Sequence, residues 1–494
     1  MPIPSLMLRR FLFRSLLTGF LVICSVFLIH QPSQANTPLS YENLEFPPLA
    51  EVQLPPYHRE VFSNGLVVYL MEDHQLPLVD GTALIRVGDR WEPEETVGLA
   101  AITGTLLRTG GTEEHSVNEI NDFLEQRAAS IETSIENTQG TASFSALKED
   151  LDPVLDLFAE ILQRPAFEPD RLALLQQQTK GNIARRNDDP GDIAGREFNK
   201  LIYGAKSPYA RTVEYATIDA IDRADVVDFY QRYIHPDRII LGIVGDFETE
   251  ALLPKLKAKF GQWKPDLEDE LPPLPAVQQA HRSEIFVVSQ PQMTQSDVRI
   301  GHIGGIFKSP DYPPLSVLNE VLNGFGGRLY NQVRSRLGLA YSVYSYWAAR
   351  YDYPGVFIAG GQTRTEATVP FIKAIYQEID RVREAPIETK ELQYAKDVVL
   401  NSFVFSFQTP AQVLSRLVRY DFYGYPKDFL FTYRDNIDAV TIADVQRVAQ
   451  TYLKPEDFVT LVVGNLSPST PDLAALSPTG SVEAIDITIP PPNS

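Results

Sequence analysis

The sequence predicts an α+β fold of two homologous tandem domains, each a largely antiparallel sheet packed with helices. The main observation is an internal repeat. Three segments of the first half return in the second half at a single offset of 219 residues. They are residues 218–221, 224–226 and 236–245, which return as residues 437–440, 443–445 and 455–464. A repeat on this scale indicates a duplicated domain of about 210 residues.

Local patterns predict the elements of each domain. Asn64-Gly65 separates two apolar runs, which is typical of a hairpin between strands at 60–62 and 66–71. Further strands are predicted at 79–87, within the alternating stretch 130–148, and at 239–244. Helices are predicted at 95–109, 116–129, 151–163 and 168–187. The order of strands, helices and strands favours an α+β domain with antiparallel pairing.

Composition shifts along the chain predict its domain boundaries. We expect a signal peptide at 1–35, an extended segment at 36–55 and a first domain at 56–263. An acidic, proline-rich linker at 264–283 precedes a second domain at 284–466 and a flexible tail at 467–494.

Charge and cysteine content exclude some classes of protein. The formal charge of −20 and the absence of a basic stripe argue against binding to nucleic acid. The only cysteine, Cys24, lies in the N-terminal apolar run, so no disulfide is expected in the domains.

The N-terminus is typical of an export signal. Arg9, Arg10 and Arg14 precede an apolar run at 15–29, and the small residues of Ser33-Gln34-Ala35 follow as a cleavage site. We therefore expect a periplasmic or extracellular protein. An uncleaved membrane anchor is the alternative interpretation.

Residues 98–112, GLAAITGTLLRTGGT, resemble the zinc-box helix of the M16 family of metallopeptidases, which includes pitrilysin, insulinase and mitochondrial processing peptidase. In that family the helix carries His-x-x-Glu-His, whose histidines bind zinc while the glutamate activates a metal-bound water. On this resemblance Ala101 and Thr105 replace the histidines, Gly104 replaces the glutamate, and Asn182 replaces the third ligand. We expect no metal on this chain. Gly104 allows two interpretations, a shallow remnant pocket or close packing against a strand.

The histidines offer no replacement site in the sequence. No two of the seven are four residues apart, and His115, although close to the box, is expected to be structural.

Residues 323–346 resemble the signature of the second M16 domain, a glycine-rich turn followed by an arginine and, seven residues later, a tyrosine. Arg334 and Tyr341 take those positions, and Gly324, Gly326 and Gly327 form the turn, which we expect to be flexible and to contact the substrate. The resemblance implies that this pair binds the backbone of a peptide substrate. From spacing alone, an exposed helical arginine and a half-buried strand tyrosine would be the simpler interpretation.

Loss of the zinc box together with retention of the Arg–Tyr segment resembles the non-catalytic subunits of heterodimeric M16 peptidases. The resemblance implies a peptide substrate and a partner with an intact zinc box, which would supply the zinc. Self-association is the alternative to such a partner. The alternative function is a peptide-binding or scaffold protein without proteolysis.

Overall fold

The computed structural model describes residues 54–264, 270–477 and 480–492. The expected signal peptide and nearly all of the extended segment lie outside this part of the chain. The described residues belong to one compact unit, 52–494. Among them, no helix is long and apolar enough to cross a membrane.

The first domain is a six-stranded sheet with helices packed on it. Its strands are β1 (His58–Val61), β2 (Val67–Glu72), β3 (Leu78–Ile85), β4 (Ser130–Ile135), β5 (Gly140–Leu147) and β6 (Ile239–Gly245). Its helices are α1 (Leu99–Thr109), α2 (Val117–Glu125), α3 (Leu151–Gln163), α4 (Pro169–Arg185), α5 (Pro190–Tyr203), α6 (Tyr215–Ala220), α7 (Arg223–Tyr233) and α8 (Thr249–Phe260).

The second domain repeats most of this order, but it begins with two strands instead of three and ends with an additional short strand. Its strands are β7 (Ile285–Ser289), β8 (Gln295–Ile303), β9 (Ala340–Ala348), β10 (Val356–Arg364), β11 (Val459–Gly464) and β12 (Glu483–Ala484). Its helices are α9 (Tyr312–Leu322), a π-helix at Tyr330–Arg336, α10 (Thr368–Glu384), α11 (Thr389–Val404), α12 (Pro410–Phe422), α13 (Phe429–Ala439), α14 (Ile442–Tyr452) and α15 (Pro471–Ala474).

The two sheets share one topology in five of their six strands. The strand orders are β1-β2-β6-β3-β5-β4 and β12-β7-β11-β8-β10-β9, so β7 to β11 take the positions of β2 to β6. The edge strands differ, because β1 begins its domain and pairs antiparallel with β2, whereas β12 ends its domain and pairs in parallel with β7. In each sheet the three pairings on the β4 or β9 side are antiparallel, and the central pairings of β6 with β2 and of β11 with β7 are parallel. The predicted α+β fold of two homologous, largely antiparallel domains is therefore confirmed.

The domains exchange one helix each. Helix α5 of the first domain lies on the second sheet, where Phe198 and Ile202 join a buried cluster with Phe286 and Leu461. In the same way, helix α12 of the second domain lies on the first sheet, where Leu414 and Val418 join a buried cluster. Because each sheet is completed by a helix of the other domain, the two repeats are held together by apolar packing.

The C-terminal segment differs from the expected flexible tail. Strand β12 pairs in parallel with β7, and the amide of Ile485 donates to the carbonyl of Val287 at 2.9 Å. Ile485 and Ile487 pack against the cluster around α5, and the Asn187 amide donates to the Ile487 carbonyl at 2.7 Å. Alternating isoleucines within a Ser- and Pro-rich composition explain how this segment adds to a sheet edge.

Candidate functional site

Helix α1 corresponds to the sequence that resembles a zinc box. It starts after Gly98, whose φ of 108° is a left-handed conformation suited to glycine. The carboxylate of Glu92 accepts hydrogen bonds from the amides of Gly98 and Ala100, both at 2.9 Å. Burial raises the pKa of Glu92 to about 7, because desolvation outweighs these two hydrogen bonds. A buried carboxyl group therefore caps the helix that lacks the zinc ligands.

Close packing against β4 explains why position 104 is a glycine. A Cβ at this position would lie 2.8 Å from the carbonyl carbon of Ser134 and closer still to the amide nitrogen of Ile135, both in β4. The Thr133 hydroxyl of the same strand donates to the Gly104 carbonyl at 2.6 Å. The strand therefore occupies the space that a larger side chain would need. Of the two interpretations of this glycine, the structure supports close packing.

The other three degenerate positions lie at or near the surface. Ala101 is exposed, Thr105 is partly exposed and donates to the Ala101 carbonyl at 3.0 Å, and Asn182 is exposed on α4. None of the four positions has an imidazole, thiolate or carboxylate group, which are the zinc ligands of proteins. The chemistry of these residues does not fit a catalytic zinc site.

His115 lies in a small polar cluster beyond the end of α1. Its Nδ1 is 3.0 Å from a carboxylate oxygen of the buried Glu160, and the Thr112 hydroxyl donates to the same side chain. Glu114 lies close enough that the three ligand atoms fall within 4.8 Å of one another. The Glu160 carboxyl group of α3 thus holds the turn that follows α1, which is a structural role.

The structure brings Arg334 and Tyr341 into contact. The guanidinium carbon of Arg334 lies 5.0 Å from the ring centre of Tyr341 and 4.8 Å from that of Tyr330. Tyr341 is 83% exposed at the start of β9. Among the described residues, the Arg334 guanidinium forms no ion pair or hydrogen bond, and it lies within cation–π distance of two tyrosine rings.

Tyr330 and Phe325 extend this pair and were missed in the sequence. The rings of Phe325 and Tyr330 meet edge to face at 5.1 Å, and Phe325 is 78% exposed. The available signal was the four-residue spacing of Tyr330 and Arg334, which places both on one helical face. Tyr330 and Arg334 also lie in the π-helix, a conformation found frequently at functional sites.

The glycine-rich turn is held from several sides. A Cβ on Gly326 would clash with the ring of Tyr394, and the Gly326 carbonyl accepts from the Asn331 side-chain amide at 3.0 Å. Arg328 forms two hydrogen bonds with Glu391, at 2.7 and 3.0 Å. These contacts fix the backbone around the exposed Phe325. Within the described residues, no hydrogen bond, ion pair or ring contact joins this cluster to the degenerate face of α1.

Comparison with known proteins agrees with the fold and with the degenerate box. Residues 67–205 match the family description "Insulinase (Peptidase family M16)", and residues 220–399 match "Peptidase M16 inactive domain". A Helicobacter pylori protein named "Non-peptidase homolog YmxG" is 22% identical over 83% of this chain and 94% of its own length. A Bacillus subtilis protein named "Uncharacterized zinc protease YmxG" is 23% identical over 72% of this chain and 86% of its own.

Solved structures show the same fold. An M16 inactive-domain structure from Pseudomonas fluorescens superposes with a TM-score of 0.73 at 24% identity, covering 83% of this chain and 98% of that one. A structure described as a protease from Helicobacter pylori gives a TM-score of 0.72 at 21% identity, covering 83% and 100%. The paired domains, the matched residues and the loss of every zinc-box residue lead to one conclusion: this chain belongs to the M16 family and is a non-catalytic member of it.

Proposed function

We propose that this chain binds a peptide substrate and completes the active site of a zinc-bearing M16 partner. The observation that carries this proposal is the Arg334–Tyr341 pair. An arginine in cation–π contact with two tyrosine rings, and with no hydrogen bond or ion pair to a described residue of this chain, is available to bind a carbonyl or carboxylate. The exposed Tyr341 lies beside it with its hydroxyl group accessible.

The chemistry of this pair requires a metal from elsewhere. The guanidinium can hold the backbone of an extended peptide, and the tyrosine hydroxyl can donate to a carbonyl oxygen on which charge develops during hydrolysis. Hydrolysis also needs an activated water, which Ala101, Gly104 and Thr105 cannot supply. We therefore assign the zinc to a homologue with an intact His-x-x-Glu-His helix, in a heterodimer formed outside the cytoplasm after export.

Mixing experiments test the proposal. The chain is co-expressed with an M16 homologue of the same organism that carries an intact zinc box, and the cleavage of a peptide library is compared for each chain alone and for the mixture. We expect activity only in the mixture, and zinc only in the homologue by elemental analysis. One tightly bound zinc per chain in this protein alone would contradict the assignment of the metal to the partner.

Substitutions then separate the subunit function from a scaffold. Arg334→Ala and Tyr341→Phe should leave assembly intact and lower the turnover of the mixture, while Arg336→Ala, an exposed arginine two residues away, should not. Full turnover with both pair variants would favour the alternative, a scaffold without a role in proteolysis.

A further inference from the structure

A pocket of about 300 Å³ lies beside the degenerate zinc-box face. Thr105 and Thr109 of α1 form one side, and Leu174, Leu175 and Gln178 of α4 form the other. Thr105 replaces the second zinc histidine of the family pattern, and Gln178 lies one helical turn before Asn182, which replaces the third ligand. The pocket therefore adjoins the place where other members of the family carry the metal. Its volume is at the lower end of the range for small-ligand sites.

The pocket is positively charged although the whole chain carries −20. Its charged lining residues are Arg108, Arg171 and Glu132, a formal sum of +1. Burial lowers the pKa of Arg108, and the nearby Glu132 carboxylate, which is exposed, opposes this effect only in part. Arg108 forms no ion pair among the described residues. Because this half-buried cation has no ion-pair partner there, an anionic ligand can supply the counterion.

Hydrogen-bond donors in the pocket remain unused. Arg108 donates through Nε to the Ile131 carbonyl at 3.1 Å and through Nη2 to the Asn121 side-chain oxygen at 2.8 Å, which leaves Nη1 without an acceptor in the described residues. The same bond turns the Asn121 amide nitrogen away from Arg108, so that it can donate elsewhere. Arg171 donates through Nη2 to the Asn118 side-chain oxygen at 3.4 Å, and its closest carboxylate oxygen, on Glu168, lies 3.9 Å away. The two threonine hydroxyls donate to helix carbonyls and leave only acceptor capacity.

Apolar groups complete the pocket. Val117 is buried, and Leu174 is 45% exposed although it lies beside the charged groups. A net charge of +1 matches a monoanion better than a doubly charged phosphate, and the leucines require an apolar body next to that charge. We propose that this pocket binds a carboxylate attached to an apolar side chain, as at the C-terminus of a peptide that ends in leucine.

This inference goes beyond the subunit function and does not depend on it, because the pocket is complete within one chain. Binding is measured on the purified chain by isothermal titration calorimetry with three probes: a hexapeptide ending in leucine with a free carboxylate, the same peptide amidated, and N-acetyl-leucine. We expect the free acid to bind and the amide to bind at least about 10-fold more weakly, the effect of losing a charge-assisted hydrogen bond. Equal affinity of acid and amide would overturn the proposal.

Variants of the pocket give matched comparisons. Arg171→Gln and Gln178→Glu should weaken binding of the acid by about 10- to 100-fold, because one removes a cation and the other adds a competing carboxylate. Arg164 is an arginine outside the pocket with a 48% exposed side chain, and Arg164→Gln should leave the affinity for the acid unchanged. Both pocket residues are accessible, so the folded state is expected to survive. Unchanged binding by Gln178→Glu would refute the location.

The remaining arms distinguish the ligand source and the second site. If N-acetyl-leucine binds as tightly as the peptide acid, the pocket takes a small carboxylic acid and the assignment to a peptide terminus is wrong. Arg334→Ala should retain the preference for acid over amide. Loss of that preference in Arg334→Ala would place the carboxylate at the Arg334–Tyr341 pair, and would overturn this proposal while leaving the proposed function intact.

Discussion

Two helical glycines of the first domain should respond in opposite ways to the same substitution. Gly104 faces the backbone of β4, where an added Cβ would lie 2.8 Å from the Ser134 carbonyl carbon. Gly181 lies on the exposed face of α4, and an added Cβ would meet nothing within 4 Å. Replacing a glycine in a helix by alanine gains about 1 kcal/mol of stability where space permits. Gly181→Ala should therefore raise the free energy of unfolding by about 0.5–1 kcal/mol.

Gly104→Ala, in contrast, should lower the free energy of unfolding. The same propensity gain of about 1 kcal/mol applies, but the clash involves main-chain atoms of Ser134 and Ile135, which cannot rotate away. Overpacking of a buried site costs typically about 1–3 kcal/mol, and the close approach here places the cost at the upper end. We expect a net loss of about 1–2 kcal/mol in stability. Reinstalling a glutamate at this position should be worse still, so the zinc box cannot be rebuilt without moving β4.

The stability of both variants is measured by urea unfolding followed by far-UV circular dichroism. Their unfolding midpoints are compared with the same dependence of the unfolding free energy on urea concentration. The expected outcome is a lower midpoint for Gly104→Ala and a higher midpoint for Gly181→Ala, relative to the unmodified chain. A midpoint that rises for both variants would show that β4 does not lie against α1 as described, and would restore the interpretation of a remnant pocket at Gly104.

Two further perturbations address stability. Glu92 has a folded-state pKa of about 7, above its ordinary value of 4.5, so its protonated form favours folding and that contribution is lost as pH rises from about 4.5 through 7. The stability difference between the unmodified chain and Glu92→Gln should therefore shift by about 2–3 kcal/mol over this range, and a pH-independent difference in unfolding midpoints would contradict the assignment. Truncation after Gly480 removes β12 and the packing of Ile485 and Ile487, which should cost about 1–3 kcal/mol, and an unchanged urea midpoint would show that the C-terminal segment is not docked.

Short-range patterns were enough to predict most elements of the first domain. The hairpin at Asn64-Gly65 and α3 at Leu151–Gln163 follow from turn chemistry and helical periodicity, which act within a few residues. The repeat offset transferred that prediction to the second half. Boundaries shifted where tertiary packing decides them, as at α1, which begins at Leu99 because Glu92 caps it there.

Features that depend on distant contacts could not be predicted in this way. The exchange of α5 and α12 between the domains leaves no local signal, since either helix would look equally amphipathic on its own sheet. The role of Gly104 required the position of β4. The π-helix at Tyr330–Arg336 could not be predicted, because its register differs from the ordinary helical period used to interpret that segment.

The central claim is that this chain contributes Arg334 and Tyr341 to an active site whose zinc belongs to a partner. The most direct measurement is kcat of the reconstituted mixture with Arg334→Ala, at a matched amount of assembled complex, against the Arg336→Ala control. Loss of one charge-assisted contact that strengthens in the transition state should lower kcat by about 10- to 1000-fold, while Arg336→Ala should match the unmodified chain. Equal kcat for Arg334→Ala and Arg336→Ala would contradict the claim.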